Sequence, residues 1–147
     1  MSTQTLHQAP QASRRMPIPA SVQTLAERST PVEIRLDIQK LMAQDQMELA
    51  QALGDAGITL HPRSEDMVAI CALLAMSRSD WAEATELLAQ LQEIQGDATP
   101  ATTYWLLARC HRCQGDLTRC MQVLEAGLSR HPQSNELQSE LSLLLKP

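Results

Sequence analysis

Helix-start signals recur along the chain at nearly constant spacing, and that period limits the fold more than any other feature. Thr30-Pro31-Val32-Glu33 offers a capping hydroxyl, a proline suited to the first helical position and a glutamate at the third. Ser64, after His61-Pro62, can accept from the free amides of a helix starting at Glu65. Thr99-Pro100 repeats the first signal, and Ser134, after His131-Pro132, repeats the second. These caps stand 34, 35 and 35 residues apart. The near-identical stretches LHPRSED (60–66) and RHPQSNE (130–136) are then one corner met twice, two units apart. Each His-Pro ends one helix, and each serine starts the next.

Between caps, each unit divides into two helices at a tight turn. Gln44-Asp45-Gln46 supplies it in the first unit, and Ser79-Asp80 in the second, where Glu83 completes an acidic capping box. In the third, Gly115 can end a helix in the left-handed conformation and Asp116 can cap the next. Composition agrees. A chain of 147 residues, 44% hydrophobic, makes one domain with room for a core. Leu, Ala, Gln, Glu and Met, all good helix formers, dominate; aromatics are 2%, and no long stretch alternates with period two. The expected fold is all-α, with no strand longer than three residues: three helix pairs at about 31–64, 65–100 and 101–134, and a capping helix over 135–145. Residues 1–29, rich in Gln, Ser, Ala and Pro, read as a disordered or loosely attached arm with one short helix over Ser21–Arg28. The helical domain then covers 30–147.

The third unit resembles a tetratricopeptide repeat. Counting from Ala101, Tyr104 takes the large fourth position, Leu107 and Ala108 the apolar-small pair, Gly115-Asp116 the turn, Cys120 and Gly127 the small positions, Leu124 the aromatic one and Pro132 the terminal proline. In the second unit Val68, Cys71, Ala72, Trp81, Ala84 and Leu88 fit, but Gly96 replaces the proline and two residues are inserted. In the first, Ile34, Ile38, Leu41, Ala50, Gly57 and Pro62 fit, while Asp37 stands where an apolar residue belongs. The resemblance implies a short right-handed superhelix of stacked pairs, because such pairs cannot bury their apolar faces alone. Tyr104, Leu107, Ala108, Cys120 and Leu124 should form the hub of the third unit.

The same resemblance implies a concave groove lined by the second, fifth, ninth and twelfth positions of each first helix. These are Val32, Arg35, Gln39 and Met42; Asp66, Ala69, Leu73 and Met76; Thr102, Trp105, Arg109 and Arg112. Trp105 should turn away from the core beside Tyr104 and, with Leu73, Met76 and the arginines, form a partner-contacting strip, since Trp and Arg are enriched in interface hot spots and Met adapts to varied surfaces. Repeats that grip a C-terminal carboxylate carry Lys and Asn at the fifth and ninth positions; Arg35/Gln39, Ala69/Leu73 and Trp105/Arg109 depart from that pattern. The size, the repeat number and the Gln114-Gly115-Asp116-Leu117 turn loosely resemble the small three-repeat chaperones of bacterial type III secretion. The partner implied is an apolar peptide or amphipathic helix of another protein. A scaffold that self-associates as a homodimer through Leu137, Leu141, Leu143, Leu144 and Leu145 is the alternative.

Other functional classes find little support. A net charge of −5 without a basic stripe disfavours nucleic acid. The longest apolar run, residues 67–76, is too short to cross a bilayer, and no apolar segment follows Arg14-Arg15 as in a secretory signal. A cytoplasmic chain with four reduced thiols is expected. Cys110-His111-x-Cys113 with Cys120 has soft metal ligands, but on helical rather than knuckle spacing, so neither a metal nor a cofactor is expected. Cys71 reads as core packing, and His61 and His131 as helix-end residues suited to the dipole. No nucleophile elbow or Gly-rich loop marks an enzyme.

Overall fold

A computed structural model describes residues 17–146. Among them the chain is all-α, with no strand: α1 (Ala20–Arg28), α2 (Pro31–Ala43), α3 (Met47–Leu60), α4 (Glu65–Ser77), α5 (Trp81–Gln95), α6 (Ala101–Cys113), α7 (Leu117–Arg130) and α8 (Asn135–Leu145). A 3₁₀ turn, Gly96–Ala98, joins α5 to α6. The helices α2–α3, α4–α5 and α6–α7 pack as hairpins; α4 also packs on α2 and α3, and α8 on α6 and α7.

Local hydrogen bonding sets each corner. Thr30 and Glu33 form a reciprocal capping box. His61 and His131 adopt nearly the same backbone angles, φ/ψ −132/66 and −129/68, and donate their amides to the Gly57 and Gly127 carbonyls. The Ser64 and Ser134 hydroxyls then accept from the Met67 and Leu137 amides, both at 3.3 Å. Within the hairpins, Asp45, Ser79 and Gly115 take left-handed φ values of 60, 60 and 78°. The amides that follow, of Gln46, Asp80 and Asp116, reach back to the carbonyls of Leu41, Ala75 and His111, closing a Schellman turn each time. Asp80 and Asp116 cap the next helices through the Glu83 and Arg119 amides.

The third expected cap is different. Helix α6 starts after Pro100 with no side-chain cap, because the buried Thr99 hydroxyl donates to the Gly96 carbonyl at 2.6 Å. The two-residue insertion has become the 3₁₀ turn, and its Gly96 carbonyl accepts both the amide and the hydroxyl of Thr99, which holds that side chain against the turn.

Three apolar clusters fill the interior. The first holds Ile34, Ile38, Leu53, Met67, Ile70 and Leu74, the second Val68, Ala72, Leu88, Leu91 and Cys110, the third Tyr104, Ala108, Cys120, Leu124 and Leu137. Of the expected third-unit hub, Leu107 is buried but belongs to the second cluster, since it sits where α6 meets α5. The first unit reverses a size pattern kept by the others. Ala72 pairs with Leu88 and Ala108 with Leu124, whereas Ile38 pairs with Gly54; a Cβ on Gly54 would stand 3.8 Å from the Ile38 Cδ1 and 2.7 Å from the Leu74 Cδ1.

The expected arm divides. Residues 1–16 lie outside the described residues, while α1 forms the expected short helix and docks on α3, with Ala26 fully buried and Ile18 and Val22 against the first cluster.

Candidate partner-binding groove

The first helices of the units begin at Pro31, Glu65, Ala101 and Asn135, so the step from α4 to α6 is two residues longer than the others. It is also the step at which the backbones of the first helices approach less closely than α2 and α4 or α6 and α8, although Val68 and Ala72 of α4 share the second cluster with Leu107 and Cys110 of α6. A cleft of about 800 Å³ opens there. Leu91, Ile94 and Gln95 of α5 line it, with Ala69 and Leu73 of α4 on one wall and Thr102, Thr103 and Leu106 of α6 on the other. Arg35, Arg63, Glu65 and Asp66 add charge. Arg35 and Asp66 are half-buried and paired at 2.9 Å, a bond that ties α2 to α4 along the groove.

The end of the cleft is built from polar contacts. The Thr103 hydroxyl donates to the Gln95 Oε1 at 2.8 Å. His131 Nε2 lies 2.9 Å from the Thr99 carbonyl, which can only accept, so this nitrogen carries the proton. The His131 ring also meets Tyr104 edge-on at 6.0 Å, and Arg130 reaches Asp97 at 3.3 Å. The corner after α7 thus contacts the inserted turn and the first turn of α6.

Of the ten residues expected to bind a partner, the cleft gathers Arg35, Ala69, Leu73 and Thr102. Gln39 is exposed on α2, while Met42 packs against the first cluster and Met76 against the second. The expectation that Trp105 turns away from the core needs correction. The indole is half-buried on the third cluster, which Leu141 and Leu144 of α8 also join, and the Arg109 guanidinium lies 5.0 Å from its centroid. Arg112 binds the buried Glu140 of α8 through Nε at 2.6 Å, and that hydrogen bond raises its pKa. Leu91, Ile94, Thr103 and Leu106 were missed as groove residues. Their signal was the inserted pair of residues and the absent proline at Gly96, which displace α6.

The cysteine-histidine group is dispersed. Cys110 and Cys120 are buried and Cys113 is exposed. Burial pushes the Cys110 thiol up to about 11 and raises that of Cys120, so neither supplies a thiolate at neutral pH. Burial lowers the pKa of His111 despite the opposing field of Asp116, which favours the neutral ring. Among the described residues no three His, Cys, Asp or Glu side chains converge as metal ligands, and no helix is long and apolar enough to cross a membrane. Three of the five C-terminal leucines serve the interior: Leu137 is fully buried and Leu141 and Leu144 are half-buried, whereas Leu143 and Leu145 are 55% and 67% exposed. A scan against protein-family models and a search of curated proteins both gave no match.

Proposed function

We propose that the chain is a non-enzymatic protein-binding module of tetratricopeptide-like hairpins that holds an apolar or amphipathic segment of a partner in the cleft between α4 and α6. The carrying observation is the cleft itself, with leucine and isoleucine on its floor and walls and charged groups beside them, the makeup expected of a site for a helix with one apolar stripe. In the secretion-chaperone form of this reading, the cargo is an aggregation-prone subunit held in the cytoplasm before export.

The test uses Thr102→Arg, because Thr102 is exposed on the wall of the cleft and a long charged side chain there obstructs it without entering the core. A displayed library of short amphipathic segments is selected on the wild-type chain, and the enriched segments are measured against both proteins by calorimetry. Affinity should fall at least about tenfold, equivalent to roughly 1.4 kcal/mol, with thermal melting unchanged. Segments that bind both proteins equally, or a library that yields none, would refute the assignment.

A further inference from the structure

At the sixth position of each first helix the side chain faces the first helix of the preceding unit. Ile70 is buried where α4 packs on α2, Glu140 is buried where α8 packs on α6, and Leu106 faces the cleft before α6. The same position in α2 is Leu36, which has no preceding first helix among the described residues. At 100° per residue it points opposite Ile34 and Ile38, away from the core, and it is 53% exposed, with Val32 one turn before it at 52%. The other end of the stack closes differently. Gln138 and Ser142 stand where Val68 and Ala72 are buried against α5, leaving only Leu145 apolar on that side. Terminal repeats need a polar outer face; on α2 the two exposed apolar residues, Val32 and Leu36, stand one turn apart on one face.

The charges beside Leu36 indicate what covers it. Glu33 and Lys40 lie on the same flank of α2, about 4.5 Å before and 6 Å after Leu36 along the axis, at 1.5 Å per residue. A two-fold axis through Leu36 that runs two copies of α2 antiparallel sets Glu33 of each copy level with Lys40 of the other. It also stacks Leu36 on Leu36 and lays Val32, on the other flank, beside residue 39 of the second copy. A parallel arrangement puts the two charged flanks on opposite sides and forms neither pair. Both Lys40 and Glu33 are exposed, so their pairing is open to salt.

We propose that the outward face of α2 docks a second copy of this chain, antiparallel about a two-fold axis through Leu36. The surface is separate from the α4–α6 cleft and leaves it open in both copies. One helix face buries less than a standard interface, so the dimer is weak and concentration-dependent.

Sedimentation velocity of the full chain over a range of concentrations should show a monomer–dimer equilibrium that weakens with added salt. Leu36→Asp should leave a monomer with an unchanged melting curve, since Leu36 makes no core contact. Lys40→Glu, which sets like charges opposite Glu33 twice, should raise the dissociation constant by about three- to tenfold. In a Cys113→Ser background, mild oxidation of Leu36→Cys should give a disulfide-linked dimer, because the two-fold axis brings this residue to its own copy; Leu143→Cys should not. A chain monomeric up to its solubility limit, a dimer that survives Leu36→Asp, or cross-linking through Leu143→Cys in place of Leu36→Cys would overturn the proposal.

Discussion

Gly57 and Gly127 occupy the same place in two units, and each accepts the amide of the histidine at the end of its helix. Their neighbours differ. A Cβ on Gly127 would stand 2.8 Å from the Tyr104 Cβ and 2.9 Å from its Cγ, atoms fixed close to the α6 backbone. On Gly57 it would meet chiefly the Met67 Cε at 2.5 Å and Sδ at 3.0 Å, the far end of a flexible chain. Alanine gains up to about 1 kcal/mol of helix propensity in either helix. Gly57→Ala should therefore be near neutral, while Gly127→Ala should cost about 1–3 kcal/mol, as overpacking does when the neighbour cannot yield. Urea unfolding of the two variants side by side checks this, and equal stabilities would show that α6 and α7 can separate freely. The glycines themselves were legible as small positions of the repeat. Which of them is clamped was not, because that depends on a side chain in the opposite helix.

At the scale of the element, α8 is held by an interaction absent from its counterpart. Met42 and Ile70 meet in the first apolar cluster between α2 and α4; the equivalent pair between α6 and α8 is Arg112 and Glu140. Glu140 is buried while Arg112 is 34% exposed, so solvent screens part of the pair, but removing the arginine leaves the Glu140 charge stranded. Arg112→Met alone should cost about 1–3 kcal/mol and loosen α8, whereas Arg112→Met with Glu140→Ile, copying the first junction, should restore stability to wild type or above. Thermal unfolding of both variants, with exchange of the α8 amides, separates these outcomes. A double variant no better than the single one would mean that the pair fixes the docking angle of α8 and is not replaceable by packing. The sequence marked α8 as a terminal helix by its serine cap and leucines. It gave no sign that Glu140 is buried, since its partner lies in another helix.

Across the whole molecule the three clusters are joined unequally. Ile58 and Leu87 pack against both the first and the second, whereas Val123 is the shared partly buried residue between the second and the third. With a cleft also opening between α4 and α6, that junction should be the weaker one. In a stack of nearest-neighbour contacts this predicts sub-global opening of α6–α8 before α2–α5. Native-state hydrogen exchange should show that order, and Val123→Ala, by removing two methyl groups, should widen the gap by about 1–2 kcal/mol. Uniform exchange free energies across the chain would show that the two parts unfold as one.

The amino-acid sequence by itself determined the all-α class, the helix boundaries, the three hairpin turns and the twin His-Pro corners. Each rests on hydrogen bonds and apolar periods spanning fewer than about six residues, so the information lies where it is read. Only the tertiary structure decided that α1 docks on α3, that Thr99 turns back to Gly96, that Trp105 lies on the third cluster beside α8 residues, and that the cleft lies between α4 and α6. These depend on which distant surface happens to stand opposite, and the step longer by two residues is the one at which the cleft opens.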